Sequence, residues 1–97
     1  MATFLLLTTL STQGLQTLSA TPERLFEVNR ELEEMGAAVR QQWALLGSYD
    51  FLTVVEAADE QVVLRAAAQL AARGSAAIET LPALEIDALV DVLSAGS

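Results

Sequence analysis

Val39-Arg40-Gln41-Gln42-Trp43-Ala44-Leu45-Leu46-Gly47-Ser48-Tyr49-Asp50-Phe51-Leu52-Thr53-Val54-Val55 is the stretch whose reading decides the fold. From Val39 the side chains alternate, with Val39, Gln41, Trp43 and Leu45 on one parity and Arg40, Gln42, Ala44 and Leu46 on the other. Period two is the mark of a strand. Gly47-Ser48-Tyr49-Asp50 carries turn residues, and Phe51–Val55 returns as a strand apolar on both faces. Two such runs around a turn predict a β-hairpin.

Upstream, Leu25, Val28, Leu32 and Met35 recur at helical spacing. Thr21-Pro22 supplies a hydroxyl for the cap and a proline where no backbone donor is needed, and Gly36 suits the stop, so a helix is predicted over 22–35. Phe4–Leu10, apolar on both parities, reads as a central strand, with Ser11-Thr12-Gln13-Gly14 as a turn after it. Downstream, Asp59-Glu60 opens a second helix through Val63, Ala66, Ala67, Leu70 and Ala71 to Gly74, its acids placed at the positive end of the helix dipole. Ala76–Leu81 reads as a fourth strand stopped by Pro82, and Glu85–Leu93 as a short amphipathic helix.

The order is βαββαβ plus a C-terminal helix, an α+β fold of ferredoxin-like type occupying residues 1–97 as a single domain. Strands one and three would be central, strands two and four edges; strand two is polar and strand four ends in a proline, which edges tolerate. Both long helices cover one face of the sheet, yet the central strands are apolar on both faces. A contiguous apolar face needs a cover. The economical one is the same face of a second copy, a homodimer or larger assembly, with the C-terminal helix as a partial alternative.

Composition excludes chemistry. The 97 residues hold no Cys, His or Lys. A zinc site would lack its preferred ligands, a Ser-His-Asp triad and a cysteine nucleophile are impossible within the chain, and no lysine Schiff base can form. Neither a metal nor a cofactor is expected. Thirteen acids against five arginines give a net charge of −8, which argues against nucleic acid and against an anionic membrane surface. The apolar start at Phe4–Leu7 has no basic residue before Arg24 and is broken by Thr8-Thr9, so it is not a signal peptide; a cytoplasmic location is the expectation.

Five motifs in order give a resemblance over nearly the whole chain: Thr12-Gln13-Gly14, Pro22-Glu23-Arg24, Trp43-Ala-Leu-Leu-Gly47-Ser-Tyr49-Asp50 followed by Glu56-Ala57-Ala-Asp59-Glu60, Gly74-Ser75, and Glu79-Thr80-Leu81. The chain resembles the GYD-domain family, small proteins named for a Gly-Tyr-Asp signature and without an established activity. The resemblance implies a dimeric α/β barrel, two ferredoxin-like sheets packed together. It departs in the last strand, where Ala77 and Pro82 stand at positions that often carry arginine in the family.

The candidate ligand-binding residues are Tyr49, Asp50, Gln13 and Trp43. Gly47 and Asp50 are explained by turn chemistry alone; the Tyr49 hydroxyl exceeds what a hairpin requires, and a pocket beneath the hairpin would receive it. Trp43 is more often core or interface than a stacking platform, and Gln13 is a polar liner at the end of strand one. The acidic run Glu23, Glu27, Glu31, Glu33 and Glu34 reads as a solvated helix face offset by Arg24 and Arg30. Three functions fit: a non-catalytic module binding a small apolar ligand or a protein; a cofactor-independent isomerase or monooxygenase with Tyr49 as acid and Asp50 as base; or a purely structural oligomerisation unit. The first is the preferred reading.

Overall fold

The computed structural model describes residues 1–95, so the last two residues of the expected domain lie outside the described residues. Four strands, β1 (Ala2–Leu10), β2 (Ala38–Ala44), β3 (Phe51–Ala57) and β4 (Ala76–Ala83), form one antiparallel sheet in the order β2-β3-β1-β4. Strands β1 and β3 are central, and the fold is α+β and ferredoxin-like. Four helices accompany the sheet: α1 (Thr12–Ala20), α2 (Arg24–Glu34), α3 (Glu60–Ala71) and α4 (Ile86–Ala95).

Alternation along the central strands sorts their side chains. Phe4 and Leu6 of β1 and Val55 and Ala57 of β3 point into the core, where they meet Leu32 of α2 and Val63, Ala66 and Leu70 of α3. Leu5 and Leu7 stand on the opposite face, across from Val54 and Leu52, with Leu81 of β4 beside Leu5. This second face is open in the single chain.

Three elements differ from the sequence expectation. The segment expected as a turn at Ser11–Gly14 is the first turn of α1. Ser11 is its N-cap, accepting from the Gly14 N–H at 3.1 Å. Helix α1 has few apolar residues at helical spacing, and its start is held by a tertiary contact: the Ser11 N–H donates to the Ser75 carbonyl at 2.9 Å. The start of α2 departs too. Arg24 and Leu25 donate to the carbonyls of Thr21 and Pro22, and the helix begins at Arg24 without a side-chain cap. In β2 the strict alternation fails, because register shifts between Val39 and Gln41. One extra residue in a strand flips the faces beyond it. Val39 packs on the core, whereas Gln41 and Trp43 lie opposite Val54 and Leu52 on the open face.

Two smaller corrections concern β4 and α4. Strand β4 runs through Pro82, which sits opposite Phe4; as an edge strand it has one side free of ladder bonds, so the missing N–H is tolerated. Helix α4 does not cover the open face. None of its residues is buried, and Ile86, Leu89, Val90, Val92 and Leu93 are all at least half exposed. Among the described residues no helix is long and apolar enough to cross a membrane.

Candidate functional site

The hairpin loop is built from the backbone outward. Gly47 has φ +138, a conformation that L side chains rarely adopt, and a Cβ there would meet nothing; the glycine is required by torsion and not by space. The Leu45 N–H donates to the Asp50 carbonyl at 2.8 Å and closes the loop. Asp50 then joins β3 to β1 twice: its N–H donates to the Thr8 carbonyl at 2.8 Å, and its Oδ2 accepts from the Leu10 N–H at 2.7 Å. Its carboxylate therefore continues the ladder past the point where Leu10 would lose a partner.

Tyr49 leaves the loop in the other direction. Its hydroxyl donates to Glu79 Oε2 on β4. Glu79 lies opposite Leu7, on the open face. The bond to the Glu79 carboxylate, its charge and a little burial together raise the Tyr49 pKa above its ordinary value. Tyr49 thus spans the end of the open face, from the hairpin across β1 to β4. Trp43 stands on that same face and is 57% exposed. Gln13 is exposed on α1, separate from both. The structure brings Tyr49 and Trp43 to one sheet face, places Asp50 between strands and leaves Gln13 apart.

The helix side holds an arrangement that the motif reading missed. Beneath α1 and α2 lies a cavity of about 140 Å³, walled by Leu6, Leu25, Leu32, Phe51, Leu70 and Ile78. Tyr49, Asp50, Gln13 and Trp43 are not among its lining residues. Its polar side is a chain of amides. Asn29 Nδ2 donates to Gln42 Oε1 at 2.8 Å, while Gln42 Nε2 donates to Asn29 Oδ1 at 3.1 Å and to Thr53 Oγ1 at 3.0 Å. Thr53 is 4% exposed, the buried polar residue of the core. Two signals could have found this group. Thr53 is a hydroxyl at a core parity of an apolar strand, and Asn29 falls within the Leu25-Val28-Leu32 stripe of α2.

At the cavity edge, the acidic helix face is less solvated than its composition implies. Glu31 reaches Arg24 at 3.4 Å and Arg73 at 2.5 Å, and Arg24 also meets Glu27 at 2.7 Å. The bond from Arg73, reinforced by the charges of both arginines, holds the Glu31 carboxyl below its ordinary pKa. The Glu31–Arg73 pair joins α2 to the end of α3, while the Arg24 pairs lie within α2. Among the described residues no three acidic side chains converge as metal ligands would.

The GYD-domain family model matches residues 4–93. Over 91 residues the chain is 48% identical to the glutamine synthetase and cystathionine beta-lyase binding protein of Thermus thermophilus, covering 93% of this chain and 96% of that protein. The crystal structure of TTHA0845, also from Thermus thermophilus, matches with a TM-score of 0.57, covering 88% of this chain and 95% of that one at 18% identity. That last likeness is one of fold.

Proposed function

The chain belongs to the GYD-domain family, and from that premise we propose that it is a non-catalytic interaction module that docks onto other proteins and onto a second copy of itself. The observation that carries this reading is the uncovered apolar surface. Leu5, Leu7, Leu52, Val54 and Leu81 share one sheet face, Trp43 stands exposed beside them, and α4 presents a second apolar stripe. Exposed patches of this kind, rimmed by polar residues, mark protein-binding surfaces. Aromatic side chains such as Trp43 are the usual anchors of such contacts.

The relative from Thermus thermophilus, at 48% identity, is named for binding glutamine synthetase and cystathionine beta-lyase. Enzymes of those two kinds from this chain's own host are therefore the first partners to test. The net charge of −8 suits a partner surface with excess arginine and lysine, since complementary charge speeds encounter. The purified protein, titrated against each enzyme in isothermal calorimetry, should bind at least one of them, and Trp43→Ala should weaken that binding tenfold or more. Absence of binding to both enzymes at tens of micromolar would remove this partner class.

The alternative of an enzyme using Tyr49 and Asp50 is the weaker reading. Asp50 spends its carboxylate on the Leu10 amide, and the Tyr49 proton is directed at Glu79. Neither group borders the cavity in which a substrate would be enclosed.

A further inference from the structure

We propose that the cavity between the helices and the sheet is a binding site for a small uncharged molecule with an apolar body of about six or seven heavy atoms and one acceptor oxygen, such as a carbonyl. Size sets the body. The volume is about 140 Å³, and an aliphatic cavity of roughly 150 Å³ stays dry and accommodates a six-membered ring. Leu6, Leu32 and Leu70 come from three different elements, so the walls are fixed by the core itself.

Thr53 sets the head group. Its hydroxyl accepts from Gln42 Nε2 at 3.0 Å, and its own proton has no acceptor among the described residues. Burial at 4% exposure denies that proton bulk water, and a buried donor left unmade is unfavourable. Gln42 is committed on both sides, by Asn29 and by Thr53; it donates to the hydroxyl oxygen and leaves the Thr53 proton for a guest in the cavity that all three residues line. Thr8, on the neighbouring strand, adds a second hydroxyl to the lining.

The charge at the edge sets what is excluded. Arg24 and Arg73 line the cavity, yet both are paired with Glu31, and Arg24 also with Glu27. Two cations against two carboxylates leave no surplus for an anionic head. Exposed Thr17 and Arg73 mark the mouth.

The probes are cyclohexanone and methylcyclohexane, equal in heavy-atom count and differing in the carbonyl oxygen. Titrated into the intact protein and followed by methyl NMR, cyclohexanone should shift Leu6, Leu32, Leu70 and Ile78 saturably, with methylcyclohexane as the control that lacks an acceptor. Thr53→Val should weaken the binding of cyclohexanone by about threefold or more, the worth of one hydrogen bond, without weakening that of methylcyclohexane, and Thr53→Ser should restore it. If Thr53→Val fails to fold, Leu18→Phe serves in its place: it adds volume at a lining position on the half-buried face of α1 and should block both probes. A Thr53→Val variant that leaves cyclohexanone binding unchanged, or that weakens both probes equally, would overturn the assigned head group. Shifts that do not saturate, or that scatter outside the lining residues, would overturn the site.

Discussion

Asp50 and Tyr49 are neighbours in the signature and opposites in role. Asp50 supplies an acceptor for the Leu10 amide at 2.7 Å. Removing it in Asp50→Ala should lower stability by about 1–2 kcal/mol, the loss of a partly buried charge-assisted bond, whereas Asp50→Asn should retain much of it; urea denaturation reads both. Tyr49 is the single tyrosine of the chain, so its titration can be followed by ultraviolet absorbance. Glu79 raises its pKa above the ordinary value of 10.0. A folded-state pKa raised above the unfolded one means stabilisation that is fully present below about pH 10 and is lost as pH rises through the folded pKa. The phenolate should therefore appear at higher pH in the folded protein than in urea, and Glu79→Gln should bring the midpoint down. A midpoint unchanged by Glu79→Gln would show that the bond does not persist in solution. The signature itself was legible as turn chemistry. The direction of Tyr49, toward Glu79 of β4 and not into the helix-side cavity, was not, because it depends on which strand lies beside β1.

Helix α1 and strand β4 meet through one close approach. A Cβ on Gly14 would fall 2.2 Å from the Ser75 carbonyl oxygen, a backbone atom that cannot swing away. Gly14→Ala should therefore force α1 off the sheet and destabilise by about 1–3 kcal/mol, as overpacking does, although alanine is the better helix former in isolation. Thermal denaturation measures it; a variant as stable as the parent would mean that α1 shifts freely. Gly14 thus belongs to the Gln-Gly motif for reasons of contact across 61 residues of chain. Residue spacing could not reveal that, and it left α1 read as a turn. The two long helices were legible from their regular apolar period, and the strands β1, β3 and β4 as short apolar runs bounded by turn residues or proline. The bulge in β2 was not, since Val39 and Trp43 obey alternation in sequence and only pairing with β3 shows the slip.

The whole chain is extended for its length. Its radius of gyration is 15.0 Å, against about 12–13 Å expected of a compact domain of this size. The long axis measures 54 Å, and α4 leaves its apolar residues in solvent. We expect the open sheet face to pair with that of a second copy, burying at least about 1,200 Å² in total as stable interfaces do. Sedimentation at micromolar concentration should then give twice the chain mass of 10.3 kDa. Leu81→Arg, a charge placed at an exposed position on that face, should give monomers with an unchanged circular dichroism spectrum. A monomeric parent protein would exclude the pairing.

By itself the sequence determined the sheet and its two covering helices, because apolar period and turn chemistry are local properties of the chain. It also shows that the 97 residues bring no Cys, His or Lys side chain to any site. Tertiary structure alone decided the rest. The Thr53 hydroxyl joins Gln42 of β2 and Asn29 of α2 in one polar cavity wall only when those elements pack together. Glu31, one acid in a run of five, becomes a tie between helices only where α3 ends beside α2 and brings Arg73 within 2.5 Å. Such sites depend on distances between segments far apart in the chain, and no local pattern encodes them.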